Sequence, residues 1–344
     1  MIDQSMIKKY DLSDAYSSIR QLPNQIDQVL DEVKNITYPQ SYYDADCIVI
    51  SGMGGSVYSY YIISSLFAHT LKKPLIAVND YKLPSFLPRK TLFLGSSYSG
   101  STEETIATTN SAIKNKYKVT AVTTGGVLGD LMKQNQLPFY QFEPRFNPCG
   151  QPRVGIGYMI FGTILILEKL KYLSFNFEEL ESSIDLLKNK DDEIQQKAHD
   201  LKNTLKDAMI ILVASEHLSG VVHSGRNQIN ETAKVLAEYH LIPELNHHLM
   251  EGLTYPKDKK LLFIFYNSPF YYERNHRRFE VTKKVLSQQK ISFLDVSFEA
   301  HNKIEEFLLY LQFGSYLSFF LGIDYGVDPS KIPWVDYFKK ELAK

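Results

Sequence analysis

The 344-residue chain predicts an α/β fold built from two parallel sheets, each flanked by helices as an α/β/α sandwich. Three observations carry that expectation. Short apolar runs alternate with longer helix-compatible segments, the pattern of buried parallel strands joined by helical crossovers. Glycine- and hydroxyl-rich turns follow two of these runs, at the strand ends where such sheets hold ligands. The whole pattern then begins again at Ala208, a repeat of about 150 residues in pattern rather than identity.

Taken in order, residues 12–35 have apolar positions at helical spacing, broken by Pro23, and predict one or two lead-in helices. Residues 46–51 form the first strand and run into Gly52-Met53-Gly54-Gly55-Ser56, with a helix behind it over residues 57–71. Residues 74–79, 91–95 and 119–124 read as the next three strands, the last ending in Gly125-Gly126. Residues 138–152 read as an irregular connection, after which Gln151-Pro152-Arg153 opens a long apolar helix ending near Tyr172. Residues 178–207 are charged and predict helices with a solvated face. Residues 209–215, 261–266 and 292–296 then restart the strand series. In this second copy Glu216-His217-Leu218 replaces the glycine turn, and Asn267-Ser268-Pro269 replaces the hydroxyl cluster, so one half looks built for an anion and the other does not. A buried helix over 307–323, a turn at Gly326-Val327-Asp328-Pro329 and a basic tail around Lys339-Lys340 close the chain. The expected division is a helical lead-in (1–40), a first subdomain (41–172), a helical connection (173–207), a second subdomain (208–323) and a tail closing the site (324–344).

With 38 basic against 39 acidic residues the net charge is −1, which argues against a broad nucleic-acid or anionic-membrane footprint. Cys47 and Cys149, the only cysteines, form no metal or redox spacing and suit a reducing compartment. The first nine residues lack the apolar core of a signal peptide. The apolar stretches 154–167 and 307–323 fall short of the ~20 residues a membrane span needs and read as buried helices. A cytoplasmic location is expected.

The segment Ser96-Ser97-Tyr98-Ser99-Gly100-Ser101-Thr102 leaves a strand, turns around Gly100 and enters a helix. Such a turn aims hydroxyls and free N–H groups at one point, with the positive end of the helix dipole behind them, which suits a phosphate. Capping of the helix by Ser99 or Ser101 is the plainer reading, but it accounts for one serine only. Gly52-Met53-Gly54-Gly55-Ser56-Val57 partly matches the dinucleotide pattern G-x-G-x-x-G, with Val57 at the last glycine and Asp80 as the candidate ribose acid. Two convergent turns favour a single phosphate on a small molecule over a dinucleotide.

Together these turns resemble the sugar-isomerase (SIS) domain. The chain as a whole resembles the bifunctional phosphoglucose/phosphomannose isomerases, through Gln151-Pro152-Arg153, the stretch from Gln228 to Lys234, Pro243-Glu244-Leu245-Asn246-His247 and Gly326-Val327-Asp328-Pro329. The resemblance implies two SIS-type subdomains and interconversion of fructose 6-phosphate with glucose 6-phosphate and mannose 6-phosphate through a cis-enediol. It implies that Gly55, Ser56, Ser97, Ser99 and Thr102 hold the phosphate and that Arg153 and Lys339 contact substrate, with Lys340 and Lys344 as alternatives to Lys339. Glu231 falls on the catalytic base and His247 on the ring-opening histidine. It further implies a homodimer in which a histidine reaches the neighbouring subunit's site.

Read without the resemblance, Glu231 is better taken as an exposed helix residue paired with Lys234 or Arg226. His247-His248, taken as an extended segment, points its rings to opposite faces, so no metal or other cofactor is expected. The chain departs from the family pattern at His248-Leu249, where Asn-Glu is common, at Ser101 in place of Asn, and at Ser224 and Arg226 in place of two basic residues. A phosphosugar-binding sensor and an SIS isomerase of another sugar phosphate are the alternative readings.

Overall fold

The structure, a computed structural model, describes residues 4–342. Three helices lead in: α1 (Gln4–Tyr10), α2 (Ala15–Arg20) and α3 (Leu22–Val33). Pro23 lies in the first turn of α3, where its missing N–H has no partner to lose, so it starts a helix rather than breaking one. The first α/β unit follows as β1 (Cys47–Ser51), α4 (Tyr58–Leu66), β2 (Leu75–Val78), β3 (Thr91–Ser96), α5 (Glu103–Lys114), β4 (Lys118–Thr123), α6 (Gly126–Gln134) and β5 (Tyr140–Gln141). Its strands are all parallel, in the order β2-β1-β3-β4-β5. Every residue of β1 and β3 is buried, as continuous apolar runs in the middle of a covered sheet require. The two-residue β5 lies in the segment read from the sequence as irregular.

The chain continues through α7 (Ile156–Lys169), α8 (Phe177–Asn189) and α9 (Asp191–Leu205) into the second unit. That unit runs β6 (Met209–Ala214), α10 (Ser219–Gln228), β7 (Ala237–Leu241), α11 (Leu245–Gly252), β8 (Leu261–Tyr266), α12 (Glu273–Gln288) and β9 (Ser292–Val296). The sheet order β7-β6-β8-β9, again all parallel, repeats the order of the first four strands. Two helices finish the described chain, α13 (Lys303–Asp324) and α14 (Pro333–Leu342). The edge strand β7 escaped the sequence reading because only Ala237 of Ala-Glu-Tyr-His-Leu is buried. The expected extended conformation at His247-His248 is corrected: both lie on α11, which follows the turn at Pro243.

The halves meet in one core. Ile50, Tyr58 and Ile160 of the first belong to the same buried cluster as Leu212, Val222 and Phe313 of the second. Helices α4 and α10 touch backbone to backbone, since a Cβ on Gly220 would lie 2.5 Å from the carbonyl carbon and oxygen of Tyr61. The apolar stretches 154–167 and 307–323 are indeed buried helices. At 22 residues α13 is longer than its sequence suggested, and by length and composition it could cross a membrane. Its apolar window is instead entirely buried within the protein.

Candidate active site

The first glycine turn becomes a 3-10 turn, Gly54–Val57, between β1 and α4. Ser56 ties it to the turn after β3: its Oγ accepts the Tyr98 N–H at 3.0 Å, and its carbonyl accepts the Ser96 hydroxyl at 2.5 Å. Gly100, at φ +69°, packs so closely on the loop after β4 that a Cβ would sit 1.8 Å from the Gly125 oxygen. Only glycine fits there.

Neither Ser99 nor Ser101 caps α5. Its N-cap is Thr102, and no side chain takes the cap hydrogen bond. Ser99 Oγ instead accepts the Ser101 N–H at 3.3 Å. The positive end of α5 is therefore left uncapped at the wall of a cleft. Ser97 is fully buried behind that wall, where its Oγ accepts the Gly100 N–H at 3.1 Å and meets Thr102 Oγ1 at 2.9 Å.

The cleft, about 920 Å³, lies between these turns, the end of α10 and helix α14. Of the expected site residues, Gly55, Ser56, Ser99, Thr102, Arg153, Glu231 and Lys339 line it. Among the alternative lysines, Lys340 does not line it and Lys344 falls outside the described residues.

Glu231 stands on a single π-helical turn, Ile229–Ala233, that continues α10, and the chain then reverses through Lys234 at φ +58°. The wider turn changes the direction of the residues it carries, a device common at functional sites. The carboxylate lies 3.8 Å from Arg153 Nη1, its side chain 32% exposed. Burial raises its pKa, while the positive charges of Arg153, Lys339 and Lys234 pull it back. Arg226, its other candidate partner, pairs with Glu238 at 3.2 Å.

Arg153 is almost wholly buried and bonds in every direction. Its Nε donates to Thr232 Oγ1 at 3.2 Å and its Nη1 to Gln151 Oε1 at 3.0 Å. Its Nη2 donates to the carbonyls of Pro329 and Ser330, at 2.6 and 2.9 Å. Lys234 does the same from beside it, donating to the carbonyls of Asp328 at 2.6 Å and Thr232 at 3.1 Å. Burial and Arg153 depress its pKa to about 8. Residues 328–330 lead directly into α14, so these two cations fasten the helix that carries Lys339. The sequence offered no hint of this, because the acceptors are backbone carbonyls and leave no side-chain signature.

His247 is not brought to the cleft. It is exposed on α11, its N–H bonded to the Glu244 carbonyl at 2.9 Å. The neighbouring His248 ring faces His240 on β7, at 5.5 Å between centroids. Among the described residues, no group of three His, Cys, Asp or Glu stands together as metal donors.

The arrangement joins hydroxyl-lined turns and an uncapped helix start to a carboxylate of raised pKa and a buried guanidinium, a set of groups that suits proton transfer on a small phosphorylated molecule. Solved structures share the fold. Tagatose-6-phosphate ketose/aldose isomerase from Escherichia coli superposes with a TM-score of 0.67 at 16% identity, covering 92% of this chain and 94% of its own. The C-terminal domain of glucosamine-fructose-6-phosphate aminotransferase from Francisella tularensis gives 0.69 at 13% identity, covering 92% and 98%. The molecule is thus an α/β protein of the two-subdomain SIS architecture.

Sequence narrows this further. Residues 194–342 match the family model described as the bacterial phospho-glucose isomerase C-terminal SIS domain. The bifunctional phosphoglucose/phosphomannose isomerase of Thermoplasma volcanium is 31% identical over 302 residues, 87% of this chain and 92% of the relative. That of Caldicellulosiruptor bescii is 27% identical over 340 residues, 96% and 99%. The chain belongs to the bifunctional phosphoglucose/phosphomannose isomerase family.

Proposed function

We propose that the protein is an aldose–ketose isomerase interconverting fructose 6-phosphate with glucose 6-phosphate and mannose 6-phosphate. The observation that carries this reading is the single cleft that joins Glu231, on its π turn beside Arg153, to both phosphate-type turns. Ser56, Ser99, Thr102 and the uncapped start of α5 receive the phosphate, with Gly55 in the same turn and Ser97 bracing the loop from behind. Glu231 takes the C2 proton of the open-chain aldose, giving a cis-enediol, and returns a proton to C1 to form the ketose. Mannose and glucose 6-phosphates yield the same enediol, so one base serves both epimers. Arg153 and Lys339 offset the negative charge that develops on the substrate oxygens.

Ring opening falls to His247. Its exposed position on α11, outside its own chain's cleft, supports a homodimer in which it serves the neighbouring subunit's site. The family weighs against a non-catalytic phosphosugar sensor. Replacing Glu231 by Gln, which keeps the shape and removes the base, is expected to lower turnover by about 10²–10⁴-fold while glucose 6-phosphate still binds. Unchanged turnover of fructose 6-phosphate by that variant overturns the assigned role.

A further inference from the structure

The second half of the fold holds a counterpart of the cleft. Unit for unit, β6, the turn Glu216–Leu218 and α10 repeat β1, the turn Gly54–Val57 and α4. A pocket of about 480 Å³ lies against this second turn, lined by Tyr61, Ser65, His69, His217, Tyr239 and Lys303 among others. Its residues occupy the positions that matter in the first cleft. Ser56 stands two residues before α4, and His217 two before α10. Glu231 stands three past the end of α10, and His69 three past the end of α4. Arg153 lies just ahead of the buried helix α7, and Lys303 opens its counterpart α13. The pocket is the place the fold's internal repeat assigns to a second site, with a lysine and a histidine where the first has an arginine and a carboxylate.

Its chemistry favours an anion. Lys303 has neither an ion pair nor a side-chain hydrogen bond among the described residues, and a cation at the first position of a helix works against the helix dipole. His69 adds a second, exposed imidazole. Glu216 also lines the pocket, but its Oε1 is engaged within the protein, accepting the Tyr272 N–H at 2.7 Å and Asn275 Nδ2 at 2.8 Å. Buried His217 is held through Nε2 by Glu306 at 2.6 Å, and Ser268 donates to the same carboxylate oxygen at 2.6 Å. Its Nδ1 is buried with no hydrogen-bond partner among the described residues, so His217 shapes the pocket's inner wall and the charge for a ligand comes from Lys303. The Gly220 N–H at the start of α10 is already taken by Ser65 Oγ at 3.2 Å, so the attraction comes from side chains rather than from a free helix end. Tyr61 and Tyr239 supply aromatic faces, and the volume suits a molecule of sugar size.

We propose that this pocket is a second ligand site, specific for a small phosphate monoester and separate from the catalytic cleft. The site does not depend on the role given to Glu231. Equilibrium dialysis of radiolabelled glucose 6-phosphate against the full chain carrying Glu231→Gln, with total label counted so that any residual isomerisation does not matter, counts the sites. Two molecules per chain are expected, both displaced by inorganic phosphate. Lys303→Met should weaken one of them by about tenfold or more, the usual loss for a charged hydrogen bond. The exposed His69→Ala should act on the same site without burdening the fold. A single site lost with Lys303→Met upholds this proposal and counts against the main cleft. Binding whose stoichiometry and affinity are indifferent to Lys303→Met overturns it.

Discussion

Glu231 works against two opposed influences, burial that favours its neutral form and three cations that favour its charge. With Glu231 as the proposed base, this balance is expected to set the acid limb of activity, because a base must be ionised to act and ionisation is lost as the pH falls through a raised pKa. Lys339 is one of the three and faces the cleft from α14. Lys339→Met removes a charge that lowers the Glu231 pKa, so the acid limb of kcat/KM is expected to move to higher pH, with a higher KM. A pH–rate profile of wild type and variant decides it, and superimposable profiles contradict the placement. At this scale much of the candidate site was legible. Ser56, Ser99 and Thr102 could be picked out because hydroxyl-rich turns at strand ends are side-chain patterns, whereas Arg153 and Glu231 were picked out by the family resemblance. Lys234 carried no such pattern, and its contribution depends on a left-handed backbone angle that no residue type announces at a lysine.

Helix α14 touches the body without burying any of its own residues, and Trp334, Tyr337, Phe338 and Leu342 are all exposed. Its position therefore rests on the segment before it, held by Arg153 and Lys234 through carbonyls. Lys234→Met removes one of those fastenings. Loss of a charge-assisted bond of this kind corresponds to about a tenfold rise in KM for fructose 6-phosphate, with faster proteolysis ahead of α14. Lys234→Arg, which keeps the charge, should recover part of both effects. A mutant with ordinary KM and an unchanged cleavage rate removes the fastening role. The elements that escaped the sequence are instructive in the same way. Strand β7 is a half-exposed edge, so its alternation is weak, and α11 is short with two polar histidines in its middle. The π turn is invisible because Ile-Asn-Glu-Thr-Ala continues a helical pattern, and one extra residue per turn leaves no compositional trace. The central strands, buried on both faces, were plain.

For the whole molecule, the closest backbone approach described between the two units is that of α4 and α10 at Gly220, within the core they share. Gly220→Ala inserts a methyl group 2.5 Å from backbone atoms that cannot swing aside. Overpacking of this kind costs about 1–3 kcal/mol, which denaturant unfolding will read as a lower midpoint. Because both pockets flank this joint, the variant should also weaken ligand binding in the main cleft, and retention of full stability would mean that the helices separate freely. The burial of α13 has a further consequence. Gln312 on this helix donates to the Ile19 carbonyl at 2.9 Å, and Tyr16 stacks on Phe319, so the first helices of the chain are completed by nearly the last. During synthesis α3 can pack on α7 once the first unit has emerged, whereas the face of α2 that meets α13 stays uncovered until some three hundred further residues have left the ribosome. The growing polypeptide thus keeps one apolar helix face open near its amino-terminal end after its first sheet has the residues it needs.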